Sequence, residues 1–193
     1  MIFIGFTLRI SFSLLQNFYQ IIPYVWDEAA FHGMSKEFLL FILGKESIPF
    51  DITRINSVST YGTFLGSLYF LFGDNPIIGK IISSILGSLV ILMTYILSRI
   101  LKLSKKKSLL MSIIIAITPS YIIFSGLVMR DMLVWLLFYI FLYFVCHFFI
   151  KDKFKYLGFS FLIVIPLVLL RKQYAPLFAI YFIFIIMIII MNK

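Results

Sequence analysis

The chain has 193 residues, of which 62% are hydrophobic and 13% charged, and its mean hydropathy is +1.08. Soluble domains are about half apolar and about a quarter charged, so this composition excludes an ordinary soluble domain and indicates an integral membrane protein. The net charge of +9 does not indicate a nucleic-acid partner, because lysines beside apolar runs are typical of loops at a membrane surface. The single cysteine, Cys146, excludes a disulfide within the chain.

The first apolar run that is long enough to cross a membrane covers residues 10–26, because a spanning helix needs about 20 apolar residues. Arg9 precedes this run, and Tyr24 and Trp26 at its end are typical of the aromatic belt at a membrane interface. Residues before Arg9 are also apolar, so an earlier start of the helix is compatible with the sequence. In that case we expect the Arg9 side chain to extend toward the lipid head groups.

Residues 27–73 differ from the spans and are expected to form an extracytoplasmic loop with interfacial helices. Within residues 27–43, apolar side chains recur at three- and four-residue steps, while Glu28 and His32 share another face. This pattern predicts a helix lying in the plane of the interface. The polar segment that follows is expected to be a loop. Residues 61–72 are apolar but too short to span, which predicts a second interfacial helix.

Five further apolar runs predict spanning helices after this loop. They cover residues 77–101, 109–129, 132–150, 156–170 and 175–191. Pro119 predicts a kink in the second of them, because proline removes a helical hydrogen bond. The whole chain, residues 1–193, is therefore predicted to be a single transmembrane domain. Its fold class is all-α, a polytopic helix bundle with about six spanning helices and interfacial helices in the first outer loop.

The charges in the loops predict the orientation of these helices. Seven lysines fall in the two loops on one side: Lys102, Lys105, Lys106, Lys107, Lys151, Lys153 and Lys155. The positive-inside rule makes that side cytoplasmic, so both termini of a multi-pass cell-membrane protein are expected inside. Seven of the eight acidic residues then fall outside, leaving only Asp152 on the cytoplasmic side. The functional face is accordingly expected to be extracytoplasmic.

Three charged features at outer helix ends are the candidates for chemistry, and they can line one outward cavity if the spans bundle compactly. They are Asp27–Glu28, Arg130–Asp131, and the corner Arg171–Lys172 with Tyr174. Carboxylates can take a proton from a hydroxyl or bind a metal. Arginine and lysine can neutralise a phosphate. Carboxylates and basic residues beside lipid therefore predict group transfer from a lipid phosphate.

Each of these features also has a purely structural interpretation. Asp27 and Glu28 favour the N-terminal dipole of the helix that they begin, by about 0.3–1 kcal/mol. Arg130 and Asp131 can pair with one another or end a helix hairpin. The basic corner can anchor a helix end among the lipid head groups.

His32 is a further candidate, since it lies one helical step from Glu28 and imidazole binds divalent metals. The sequence shows no third histidine or cysteine ligand near it, so a divalent metal is left open and hydrogen bonding is the alternative role. No cofactor is otherwise indicated. The chain contains no phosphate-binding loop, dinucleotide glycine motif, metalloprotease motif or serine elbow, so an activated donor is expected to be membrane-borne.

A series of short motifs extends over nearly the whole chain. In order they are Trp26-Asp27-Glu28 after the first span, the amphipathic stretch 61–73, Asp74-Asn75-Pro76, a lysine-rich inner loop, Thr118-Pro119 and Arg130-Asp131-Met132-Leu133. This order resembles the GT-C superfamily of integral membrane glycosyltransferases, particularly the branch of protein mannosyltransferases and aminoarabinose transferases. The carboxylate after the first span is the most specific part of the resemblance.

The resemblance implies inverting transfer of a sugar from a polyprenyl-phosphate donor to a glycan, lipid or protein acceptor at the outer face. Asp27 would act as the base toward the acceptor hydroxyl, with Glu28 assisting or binding. The lipid phosphate would contact the basic corners and a tyrosine, namely Arg130, Arg171, Lys172 and Tyr174. Typical members have more spans and often a soluble outer domain, so the chain is expected to be a short member, a truncated member or a relative that has lost transfer activity.

Two other classes of protein fit the same features. A non-catalytic subunit for polysaccharide assembly or lipid-carrier binding, working with partner membrane subunits, would explain the short length. A transporter would place charged groups or broken helices near mid-membrane and often show paired repeats. The charged groups of this chain lie at predicted helix ends and no repeat is visible, which disfavours a transporter.

Overall fold

A computed structural model describes residues 2–23, 26–45, 57–151 and 153–191. These residues form nine α-helices and one short 3₁₀ turn, and no strand, so the all-α prediction is confirmed for them. The helices are α1 Ile2–Tyr19, α2 Trp26–Ile42, α3 Ser57–Phe72, α4 Pro76–Ile100, α5 Lys105–Ile117, α6 Pro119–Gly126, α7 Asp131–Lys151, α8 Phe154–Leu170 and α9 Ala175–Met191, with the 3₁₀ turn at Lys172–Tyr174. The belt residue Tyr24, residues 46–56 of the predicted loop, and Asp152 lie outside the described residues.

Among the described residues, α4 and α7 are long and apolar enough to cross a membrane. Helices α5 and α6 together make a third candidate, bent by 56° at the break before Pro119, where a kink was predicted. These helices support a membrane protein of two or three crossings by length and composition. The other predicted spans coincide with α8, which is shorter, with α9 and, in part, with α1.

The first helix is displaced from its predicted position and ends at Tyr19 rather than at residue 26. Gln20 adopts a left-handed backbone conformation with φ of 45°, which stops the helix. The Gln16 side chain then holds the turn, because its amide oxygen accepts from Ile22 N at 2.8 Å and its nitrogen donates to Ile22 O at 2.9 Å. Pro23 also disfavours helical geometry at the residue before it. The sequence pattern missed this turn because the apolar residues on either side of Gln20 fit a continuous span.

Arg9 does not extend toward lipid head groups, so that prediction is wrong. Its side chain is fully buried, and its guanidinium donates to the carbonyls of Ala116 at 3.2 Å and Ile115 at 3.4 Å. Pro119 has no N–H, so the Ile115 carbonyl four residues earlier lacks its helical donor. The backbone at Thr118 is extended, which also separates the Ala116 carbonyl from the next turn. Arg9 therefore satisfies the polar groups that the α5–α6 break exposes.

Helices α2 and α3 were both predicted, and they pack closely against each other. A Cβ added at Gly62 would lie 2.6 Å from Met34 Cγ, and one at Gly66 would lie 2.6 Å from the Ser35 carbonyl oxygen. The Phe31 and Tyr61 rings meet edge to face at 5.1 Å. These two rings belong to the same buried cluster as residues of α7, α8 and α9, so the α2–α3 pair is fixed onto the bundle.

The starts of α2, α4 and α7 meet at one end of the bundle. Gly79 on the first turn of α4 permits a close approach to α3 and to the segment before α7, because a Cβ there would lie 2.8 Å from the Tyr69 hydroxyl and 3.0 Å from Val128 Cγ2. The Ile77 amide at the same helix start is capped by the Asn75 side chain. Charged residues at these helix starts, which are far apart in sequence, are therefore brought close together. We call this part of the molecule the charged end of the bundle.

Candidate functional site

Glu28 is the centre of the first of two groups of residues at the charged end. Its carboxylate Oε1 lies 3.5 Å from Lys80 Nζ on α4 and accepts a hydrogen bond from Val128 N at 3.4 Å. The Lys80 side chain is 8% exposed and the Glu28 side chain 18%, so the ion pair is largely shielded from solvent. Lys80 also donates to Asn17 Oδ1 at 3.4 Å. Glu28 thus links α2 to α4 and to the segment before α7.

A polar cavity of about 280 Å³ opens beside this ion pair. Its wall includes the end of α1, the start of α2 and the start of α4. Its polar lining residues are Gln16, Asn17, Gln20, Glu28, His32 and Lys80. Four of these six residues were absent from the sequence-based candidates, so the cavity is a finding of the structure.

His32 lies at the edge of this cavity, where its Nδ1 is hydrogen bonded to the Tyr69 hydroxyl at 2.9 Å. Burial lowers the pKa of the imidazole from its ordinary value, and the positive charge of Lys36 lowers it further. Asp74 and Glu28 act in the opposite direction on the same pKa. The hydrogen-bonding role for His32 is thus observed, and a neutral ring is favoured at neutral pH.

Titration of His32 should make the protein less stable in mild acid. The pKa of His32 is lower in the folded protein than its ordinary 6.5, so the unfolded chain takes up the proton first as the pH falls below about 6.5. Stability from the neutral ring is present above that pH and is lost as the pH falls through the folded-state pKa. We expect the melting temperature in detergent to fall more steeply below pH 6.5 for the wild type than for His32→Gln. Parallel curves for the two proteins would contradict this.

Arg130 is the centre of the second group of residues at the charged end. Its guanidinium lies over the Phe31 ring, 5.5 Å from the centroid. Burial lowers its pKa, as does the positive charge of Arg171, while the carboxylates of Asp131 and Asp27 raise it. Arg171 itself donates a hydrogen bond to Asp131 Oδ1. Four of the predicted site residues therefore form one electrostatic group, which we call the arginine group: Asp27, Arg130, Asp131 and Arg171.

Asp27 and Glu28 are adjacent in sequence but belong to different groups at the charged end. Successive residues of a helix point about 100° apart, so the first turn of α2 directs Asp27 and Glu28 to different neighbours. The Asp27 side chain is exposed and interacts electrostatically with Arg130, whereas Glu28 is paired with Lys80. Asp27 is consequently the carboxylate that a substrate can reach from solvent.

The remaining predicted residues follow Arg171 in the chain. Lys172 is exposed on the 3₁₀ turn that follows α8. Tyr174 is half-buried, and its ring meets Phe178 edge to face with centroids 6.2 Å apart. In the part of the chain that the structure describes, no three His, Cys, Asp or Glu side chains are grouped so that they could hold a metal ion.

Sequence reasoning missed four polar residues of the cavity, namely Lys80, Gln16, Asn17 and Gln20. Lys80 carried a visible signal, because it is a lone charge inside an apolar run that is otherwise suited to lipid. On α1, Arg9, Ser13 and Gln16 follow at four- and three-residue steps and are all buried, which is the periodicity of a polar face turned inward.

Comparisons with known proteins assign no family to the chain. No family model matches it, and searches of curated proteins and of solved structures give no significant match.

Proposed function

We propose that the protein is a membrane glycosyltransferase that transfers a sugar from a polyprenyl-phosphate donor to an extracytoplasmic acceptor. The observation that carries this proposal is the grouping of an exposed carboxylate, Asp27, with Arg130 and the Asp131–Arg171 pair at one end of the bundle. A base and a phosphate-binding cation are the two groups that such a transfer requires.

The arginines have unused capacity to bind an anion. Arg130 Nη1 and Arg171 Nε are buried and have no hydrogen-bond partner among the described residues. A buried donor without a partner costs about 1–3 kcal/mol, which a bound phosphate would recover by supplying acceptor oxygens. The guanidinium fork also matches phosphate geometry. The Arg130–Arg171 pair is therefore the proposed site for the phosphate of the lipid carrier.

The proposed reaction gives each of these groups a role. The acceptor hydroxyl gives its proton to an Asp27 carboxylate oxygen as the hydroxyl oxygen attacks the anomeric carbon. The bond from that carbon to the phosphate oxygen breaks, and the polyprenyl phosphate leaves with the electron pair, stabilised by Arg130 and Arg171. Attack opposite the leaving group inverts the anomeric centre.

The membrane arrangement belongs to the same proposal. About six crossings in a GT-C-like order, with both termini in the cytoplasm of a multi-pass cell-membrane protein, would put the charged end outside. The α2–α3 pair would then lie in the outer interface. The lysine-rich turns after α4 and around the α7–α8 junction would face the cytoplasm. Partner membrane subunits are compatible with this arrangement.

The purified protein in lipid nanodiscs should release polyprenyl phosphate from a polyprenyl-phosphate sugar when a glycan or lipid acceptor is present. Arg130→Gln should lower donor use about 10–100-fold, because a hydrogen bond to a charged group contributes about 1.5–3 kcal/mol. Arg99→Gln is the matched control, since Arg99 is exposed near the opposite end of α4. If the wild type binds polyprenyl phosphate saturably but releases none from the sugar donor, the protein is a non-catalytic binding subunit and not an enzyme. Equal donor use by Arg130→Gln and Arg99→Gln would refute the phosphate site.

A further inference from the structure

The cavity beside Glu28 has a chemistry that differs from that of the arginine group. It offers amide side chains from Asn17 and Gln20, which both donate and accept hydrogen bonds, beside the Gln16 amide that is already bonded to Ile22. With about 280 Å³ it lies near the lower end of the volumes of small-molecule sites. Such a space suits a single ring that carries several hydroxyl groups, rather than an oligomer.

The charges that line the cavity are already balanced. Lys80 Nζ lies 3.5 Å from Glu28 Oε1 and donates to Asn17 Oδ1 at 3.4 Å, so its cationic group is held by two oxygen partners. His32 is bonded to Tyr69 through Nδ1. The described lining therefore presents no unbalanced cation for a phosphate, whereas its amides, carboxylate and imidazole can all bond uncharged hydroxyl groups.

The position of the cavity relates it to the reacting groups. Glu28 lines the cavity and the next residue toward the N-terminus, Asp27, interacts with Arg130. The first turn of α2 thus carries both the carboxylate that lines the cavity and the carboxylate that interacts with Arg130 of the proposed phosphate site. A sugar ring and the lipid phosphate can then occupy neighbouring places at the same helix start.

We infer that this cavity, built by Gln16, Asn17, Gln20, Glu28, His32 and Lys80, binds the hydroxyl groups of one sugar residue. The inference rests on the proposed function for the choice of a sugar. Two sources share this chemistry, namely the sugar carried by the lipid donor and a sugar of the acceptor. The cavity binds the sugar ring, while Arg130 and Arg171 bind the phosphate.

The test measures binding of methyl glycosides of glucose, mannose, galactose and N-acetylglucosamine by saturation-transfer NMR on the full chain in nanodiscs. Ala29→Phe should fill the cavity, because Ala29 lines it without carrying charge. At least one glycoside should bind the wild type and bind Ala29→Phe at least tenfold more weakly. Ala179→Phe, on the exposed face of α9, is the matched control and should bind like the wild type.

A second variant guards against misfolding of Ala29→Phe. Gln20→Gly removes one lining amide and keeps the left-handed backbone at this position, where φ is 45°. It should weaken glycoside binding at least threefold. Equal binding by the wild type and both cavity variants, absence of glycoside binding by the wild type, or displacement of the glycoside by inorganic phosphate would overturn the inference.

Competition by the lipid carrier separates the two sources of sugar. Displacement of the glycoside by undecaprenyl phosphate bearing the same sugar, but not by bare undecaprenyl phosphate, would assign the cavity to the donor sugar. No displacement by either would assign it to the acceptor, and displacement by the bare carrier would refute a sugar site. Because binding is measured without turnover, a protein that binds glycosides but transfers no sugar refutes only the proposed function. One that transfers sugar while both cavity variants bind normally refutes only the cavity.

Discussion

Replacing Asp27 by Asn is expected to lower sugar transfer about 10²–10⁴-fold, the usual contribution of a positioned general base. The amide keeps the size of the side chain but cannot take the proton of the acceptor hydroxyl. Since Asp27 is exposed at the start of α2, the change should leave the fold nearly intact. The measurement is the rate of polyprenyl-phosphate release at saturating donor, with the melting temperature recorded for the same preparation.

Glu28→Gln is the matched comparison, because it makes the same chemical change at the adjacent residue. Glu28 is 18% exposed and lies 3.5 Å from the buried Lys80, so the variant should lose stability by about 1–3 kcal/mol, below the roughly 3–5 kcal/mol of a fully buried pair. Its residual activity should follow its folded fraction and its binding of the sugar. Normal turnover by Asp27→Asn would remove the base from the proposed mechanism.

Replacing Arg9 by Met is expected to cost about 1–4 kcal/mol of unfolding free energy, because one buried and one partly buried carbonyl lose their donor. The Ile115 and Ala116 carbonyls accept from Arg9 at the break before Pro119. Thermal or denaturant unfolding in detergent should show the loss. The methionine keeps most of the volume of the arginine stem, so the missing hydrogen bonds should dominate the effect.

The Pro119→Ala background tests the cause of this loss. Alanine supplies an N–H for the Ile115 carbonyl and allows α5 and α6 to join, so Arg9→Met should cost less in that background. We expect a coupling energy of about 0.5–3 kcal/mol between the two changes. Strictly additive costs would show that Arg9 stabilises the bundle in some other way.

The sequence by itself determined where most helices lie. Helices α4 and α7 follow from unbroken apolar runs, α2 from periodic Phe and Met residues, and the α5–α6 break from Pro119. These signals are local, because hydrogen bonds within a helix join residues only four positions apart. The same local patterns placed Asp27, Arg130 and Arg171 at helix ends.

The tertiary structure decided which charged and polar groups meet. Asp131 pairs with Arg171 across 40 positions, Glu28 accepts from the Val128 amide across 100, and Arg9 donates to Ala116 across 107. No periodicity encodes such partners, because each depends on how whole helices pack. Burial makes these contacts important for the free energy of folding, because a polar group removed from water needs a partner inside the protein. For that reason the adjacent residues Asp27 and Glu28, both acidic, differ in environment in the folded protein, where Glu28 pairs with Lys80 and Asp27 interacts with Arg130.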